Sequence, residues 1–531
     1  MPEFTLMDHQ KEGVKFLDSV DGIGALLWDP GVGKTGATLA WVDKMAKRKG
    51  EFRVLVVSPK TAIDTWVLQA PPFMDSAVKA RVLQGTTSAL LPQIRRARDW
   101  LSVPTMPIQV NHPGHPEAWP TSKGKGPRVT LLSMSAGAVS NWCQDRKNTV
   151  KLLLAIKKFA PDLVVVDESH LIKSETANIS KAMYQIGQIA DHRIILTGTV
   201  NPLSPLDCYG QWRFLAPWTF SDQYHMKWTK APLSMTLAQK KSIRPWSFKS
   251  FAGRYADFGG YGGAAIVGEN DDHLAELHAR VAERSMVVRK EDALDLPPTV
   301  DVDVRVDLSA AEKKAYDSML ADLQAELADG TLIESPNALA KIMKLRQITA
   351  GFIRDTEMDE THILGDAKRK AVAEVVNVRL ASENRIVVFA YFRSECEALH
   401  KSLAAKGRTV EVITGQTKTA DRLAIRQRFA DVSGNPEQVV LVAQARTMSL
   451  SVNELVTAQH AVYASLSERR DDWVQSRGRL DRNGQKGSKV TFWRVFVPGT
   501  IDAVMYANNE RRGRLEKALL DYVRTAPRLS K

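Results

Sequence analysis

Two short stretches of this 531-residue chain carry side chains of the types and spacing that phosphate chemistry needs. The first, WDPGVGKT (28–35), sets Gly31 and Gly33 just ahead of Lys34 and Thr35. Glycines let backbone N–H groups converge on an anion at a helix N-terminus; a lysine there reaches the outer phosphates, and a hydroxyl can bind Mg2+. A strict phosphate-binding loop has glycine where Trp28 stands, so the stretch fits the shorter form D-x-G-x-G-K-T, whose turn begins at Asp29. The alternative is a plain strand–turn–helix joint that happens to contain a lysine. The second stretch, LVVVDESH (163–170), is an apolar run ending in two adjacent carboxylates. Asp167 at a strand tip can hold Mg2+, and Glu168 can polarise an attacking water. A solvated acidic turn is the alternative; with a G-K-T more than a hundred residues upstream, the metal-and-base reading is favoured.

These residues need strands and helices to place them. GIGALLW (22–28) reads as a buried strand feeding the glycine turn, with a helix beyond it through about Lys47. FRVLVVSP (52–59), RVTLLSM (128–134), DLVVVDE (162–168) and HRIILTG (192–198) are further apolar, β-branched runs. Helical stretches between them predict a parallel sheet with crossover helices. The rhythm returns in NRIVVFAYF (384–392), RTVEVITG (408–415), EQVVLVAQ (437–444), QHAVYASL (459–466) and KVTFWRVF (489–496). Between the halves, residues 217–375 read as mainly helical around the loop FGGYGGAAIVG. The expected organisation is an α/β lobe over 1–216, an insertion and linker over 217–375, and a second α/β lobe over 376–531 ending in a basic helix. The segment 105–127, rich in Pro, Gly and His, reads as an exposed insertion.

Composition narrows the function. A net charge of +13 points toward a polyanionic partner. Cys143, Cys208 and Cys396 are far apart, which argues against a disulfide framework or a zinc site and for a reducing compartment. No apolar run approaches a membrane span and the first residues lack a signal peptide's apolar core, so an intracellular, cytoplasmic protein without a membrane partner is expected.

Longer motifs bear a family resemblance. LMDHQKEGVKFL, DPGVGKT, VVSPKTAIDTW, DESHLIK and LTGTVNPLSPLDCYGQWRFLAP occur in order, followed by KLRQITAGF, RIVVFAYF, ITGQTKTADRLAIRQRF and QSRGRLDRNGQKGSKVTFWRVFVPGTID. From Leu6 to Ile501 the chain resembles the Swi/Snf-type branch of superfamily 2 helicases, a group of DNA-dependent ATPases. The stretch beginning FAGRYADFGGYGG looks closer to annealing-helicase and phage or bacterial members than to nucleosome remodelers.

The resemblance implies two RecA-like lobes with ATP and Mg2+ between them, and double-stranded or branched DNA as partner of a monomeric motor. It assigns Gln10 to adenine, and Lys34, Thr35, Asp167 and Glu168 to the roles above. Arg479 and Arg482 become the arginine fingers, which fall on one face if their segment is helical, with Gln475 supporting them. Arg477, two residues from Arg479, is expected to face elsewhere, toward solvent. Thr197, Gly198 and Thr199 match the motif that couples the ATP state to movement. Ser58, Lys60, Ser133, Thr414 and Gly415 match strand-end positions that touch the sugar–phosphate backbone; their bland alternative is strand-end capping.

One motif departs from the family. Its glycine-rich fifth motif appears as ARTMSLSVNELVTA (445–458), with Ser449 and Ser451 in glycine positions and Asn453 following. That departure puts DNA contact at Asn453 in doubt. The expected activity is ATP-driven translocation on duplex DNA that remodels branched DNA or DNA–protein complexes. A strand-separating DNA or RNA helicase and an ATP-switched DNA clamp are the alternatives. Only about twenty residues separate Asn453 from Gln475, too few for a long strand-separating pin.

Overall fold

A computed structural model describes residues 5–60, 62–83, 87–99, 127–198, 205–222, 243–259, 265–328, 336–355, 360–404, 408–433, 437–448, 454–467, 470–482 and 484–506. Its contacts divide the chain between Leu294 and Asp295.

The first unit is built on seven parallel strands. They are β1 (Ile23–Trp28), β2 (Glu51–Ser58), β3 (Ala77–Val82), β4 (Arg128–Ser135), β5 (Leu163–Asp167), β6 (His192–Thr197) and, after an antiparallel hairpin of β7 (Ala256–Gly259) and β8 (Ala265–Glu269), β9 (Ser285–Val288). Their order is β3-β4-β2-β5-β6-β1-β9. Side chains along a strand alternate between faces, so β1 contributes to two cores. Ile23, Ala25 and Leu27 join one apolar cluster, and Leu26 and Trp28 join the other. Three helices frame the loop after β1: α1 (Asp8–Ser19), α2 (Lys34–Lys49) and α3 (Ile63–Phe73).

The second unit repeats the plan. A six-stranded parallel sheet comprises β10 (Thr299–Arg305), then, after the hairpin β11 (Phe352–Asp355) and β12 (Glu360–Ile363), β13 (Arg385–Ala390), β14 (Thr409–Ile413), β15 (Val439–Gln444), β16 (His460–Tyr463) and β17 (Val490–Phe496). The order is β10-β17-β16-β13-β15-β14. Val387 and Phe389 of β13 pack on one face, and Ile386, Val388 and Ala390 on the other.

The two expected parallel-sheet units are present, but the boundaries differ from those read in the sequence. The described residues of the stretch 217–375 are divided between the two units. Up to Leu294 they belong to the first unit, where β9 pairs with β1 (Trp28 opposite Val288). From Asp295 they belong to the second unit, where β10 pairs with β17 along its whole length. Neither strand has the long apolar run that marked β1, β2 and β5: β9 has four residues, and β10 reads TVDVDVR. Residues 105–126 of the expected insertion 105–127, and the chain from 507 onward, lie outside the described residues. Among the described residues no helix is long and apolar enough to cross a membrane.

Candidate nucleotide site

Trp28 ends β1 rather than beginning the loop, and it is fully buried. Gly13 of α1 allows this, because a Cβ there would come within 2.7 Å of the indole. The turn therefore starts at Asp29, as the shorter loop form requires. Gly31 (φ +90°) and Gly33 (φ +85°) take left-handed conformations that other residues resist. Gly33 caps α2, so Lys34 and Thr35 open the helix at its anion-attracting end.

Side chains of α1 latch the loop from outside. The Gln10 amide donates to the Gly33 carbonyl at 3.0 Å, and its oxygen accepts the Met7 N–H at 2.9 Å. His9 Nε2 lies 2.7 Å from the Val32 carbonyl. Asp29 anchors the other side. Its N–H donates to the Val288 carbonyl at 3.0 Å, and its carboxylate accepts the Lys290 N–H at 2.9 Å. Its carboxylate thus ties the loop to the residue pair that follows β9.

Lys34 and the two carboxylates share one electrostatic environment. The Lys34 ammonium donates to the carbonyls of Trp28 (2.7 Å) and Asp29 (3.3 Å). Burial pulls its pKa below the usual lysine value, while Glu168, Asp167 and Asp29 oppose that shift. Asp167, at the tip of β5, is pushed up to about 6, first by burial and then by the neighbouring Glu168 carboxylate. The indole N–H of Trp66 in α3, donated to Asp167 Oδ2 at 2.9 Å, and the charge of Lys34 act the other way.

Glu168 adopts φ +55°, unusual for a residue with a side chain, and its carboxylate lies 3.4 Å from His170 Nδ1. The next residues are seated on the helix Cys208–Leu215. Ser169 Oγ donates to Gln211 Oε1 at 2.5 Å, and Gly210 admits the Ile172 carbonyl so closely that a Cβ would meet it at 2.2 Å. Gly198 touches the loop itself: a Cβ there would lie 2.9 Å from Pro30 Cδ. Thr197 is buried at the end of β6, and Thr199 lies outside the described residues.

The strand-end residues proposed for DNA contact separate by exposure. Lys60 is exposed, whereas Ser58 is fully buried. Ser133 is also buried, within β4 between Val56 and Val82, and its enclosed hydroxyl has no hydrogen-bond partner among the described residues. Ser133 thus sits inside β4, two residues before its end, with its hydroxyl enclosed.

In the second unit, Gln475 and Arg479 lie on the helix Arg470–Leu480, Gln475 buried and Arg479 half-buried. Arg482 lies past the helix end, where its N–H donates to the Leu480 carbonyl at 3.2 Å and its own carbonyl accepts from Gln485. The helical-face argument for the two arginines therefore does not hold. Burial lowers the Arg482 pKa, opposed by Glu454. Arg477 does face elsewhere, but inward: it pairs with Asp301 of β10 and stacks over Phe492, 3.9 Å from the ring centre. Thr414 and Gly415 close β14. The Gly415 N–H donates to Gln444 Oε1 at 2.9 Å, and Arg422 donates to both their carbonyls at 3.0 Å. Ser449, Ser451 and Asn453 lie outside the described residues.

Family comparison accounts for this arrangement. A model of the SNF2-related domain matches residues 9–352, and a model of the helicase conserved C-terminal domain matches 367–484. The chain belongs to the SNF2-related family. An uncharacterized ATP-dependent helicase of Mycoplasma genitalium is 21% identical over 524 residues, covering 98% of this chain and 42% of that protein. The DNA annealing helicase and endonuclease ZRANB3 of Mus musculus is 25% identical over 362 residues, covering 68% of this chain and 30% of that one. The chain thus spans less than half the length of these SNF2-related relatives. Among solved structures, the Sulfolobus solfataricus SWI2/SNF2 ATPase core in complex with dsDNA has 15% identity and a TM-score of 0.38, covering 99% of this chain and 96% of that one.

Proposed function

We propose that the protein is a DNA-dependent ATPase that translocates on double-stranded DNA and remodels branched DNA or DNA–protein complexes. The observation that carries this reading is the convergence in one unit of a glycine phosphate loop, the Lys34 ammonium and the adjacent, half-buried carboxylates of Asp167 and Glu168. The donors suit Mg2+, a hard cation that takes oxygen ligands: Thr35 offers a hydroxyl, and the adjacent carboxylates of Asp167 and Glu168 repel each other in a way a divalent cation relieves. When bound, Mg2+ would neutralise charge developing on the β- and γ-phosphate oxygens. Lys34 would exchange its loop carbonyls for those oxygens, and Thr35 and Asp167 would hold the cation. Glu168 orients the water that attacks the γ-phosphorus as the bond to the β-phosphate oxygen breaks. Arg479 and Arg482 are the cations that neutralise the transferring group, and Gln10 reads the adenine through the same loop it braces.

The +13 charge and the exposed Lys60 support a nucleic-acid track, and the relative named as a DNA annealing helicase favours branched DNA. Measuring ATP turnover with no nucleic acid, single strands, duplex, forked DNA and RNA tests this. Stimulation greatest with duplex or forked DNA is expected. Stimulation by single strands or RNA alone would replace it with the helicase reading.

A further inference from the structure

Trp66 lies on the sheet-facing side of α3 with Ile63, Val67 and Ala70, and it is 1% exposed. The indole belongs to the apolar cluster that includes Trp28, Val32 and Val165. Its N–H donates to Asp167 Oδ2 at 2.9 Å. An apolar side chain could fill this volume, but only one carrying a donor can also bind a carboxylate. The torsion that sets a carboxylate plane is soft and roughly two-fold, so an Asp167 without the indole donor, left with the Glu168 backbone N–H, would sample several orientations. A donor fixed by core packing removes that freedom and occupies one oxygen. Helix α3 also starts three residues after the exposed Lys60.

We propose that Trp66 is a positioning residue of the nucleotide site: its indole N–H fixes the carboxylate plane of Asp167 and leaves the second oxygen to a divalent cation. This rests on the reading of the loop as an ATP site. A role in packing alone would weaken nucleotide binding equally with and without metal. A positioning role acts only through the metal.

The test is Trp66→Phe, which keeps the aromatic volume and removes the donor. Binding of a fluorescent ADP analogue is titrated with Mg2+ and again in chelator, and bound Mn2+ is followed by electron paramagnetic resonance. The Mg2+ concentration for half-maximal binding should rise roughly tenfold, the loss of a hydrogen bond to a charged group. Metal-free affinity should not change, and the Mn2+ signal should broaden. In an Asp167→Asn background, Trp66→Phe should add nothing. Unchanged Mg2+ dependence, equal weakening with and without metal, or additive effects of the two substitutions would each overturn the proposal. If Trp66→Phe loses its cooperative melting transition, Trp66→Met replaces it in the same titrations. Wild-type protein that binds the analogue without any Mg2+ dependence would instead refute the nucleotide site as drawn.

Discussion

The Gln10 side chain spans α1 and the phosphate loop, donating to the Gly33 carbonyl at 3.0 Å while accepting the Met7 N–H at 2.9 Å. Because Gly33 is held at φ +85°, this donor helps maintain the conformation that points the loop's N–H groups toward an anion. Gln10→Ala should therefore weaken ATP binding about five- to tenfold, the worth of roughly one hydrogen bond. Titration with a fluorescent nucleotide measures it. Wild-type affinity in the variant would show that the latch is idle.

Asp29 predicts an effect at a distance from the phosphate. Its carboxylate accepts the Lys290 N–H at 2.9 Å, so Asp29→Ala leaves that donor without its side-chain partner. The expected cost is about 1–2 kcal/mol. Amide hydrogen exchange should accelerate over Val288–Ala293 while exchange in β13 stays as in wild type. Uniform acceleration in both units would point to a global defect instead.

Two arginines five residues apart should behave differently. Arg482→Ala should lower ATP turnover at least a hundredfold with little change in ATP affinity, as expected for a cation that acts on the transferring group. Arg477→Ala should chiefly destabilise the second unit, because it removes the Asp301 ion pair and the Phe492 stack. Thermal unfolding and steady-state kinetics on the pair separate the roles. Normal DNA-stimulated turnover in Arg482→Ala would exclude it from the reaction.

DNA affinity should fall steeply with salt and vary little with sequence, because backbone contacts release counterions and carry no base information. Filter binding across ionic strengths and unrelated duplexes measures both. A footprint confined to one sequence and insensitive to salt would contradict backbone tracking.

Much of this architecture was legible from composition along the chain. Buried parallel strands such as ALLW, VLVV and LVVVD need continuous apolar runs, and those runs located β1, β2 and β5. Short or charge-interrupted strands were not legible: β3 reads AVKARV and β9 only SMVV, and both are recruited by neighbours already in place. Lys34, Asp167 and Glu168 could be read because their chemistry depends on local order. The bond from Trp66 to Asp167 could not, since it links residues 101 positions apart. The same holds for Asp29, whose partner lies 261 residues away, and for Ser133, whose burial depends on the strands beside it.

Translocation and strand separation are told apart most directly by displacement of a third strand from a DNA triplex, run beside a tailed duplex. In the second unit β16 ends at Tyr463 and the next helix begins at Arg470, so no long pin fits between them. ATP-dependent release of the third strand, abolished by Lys34→Ala, with the tailed duplex left paired, is the predicted result. Efficient separation of the tailed duplex with no triplex displacement would contradict it.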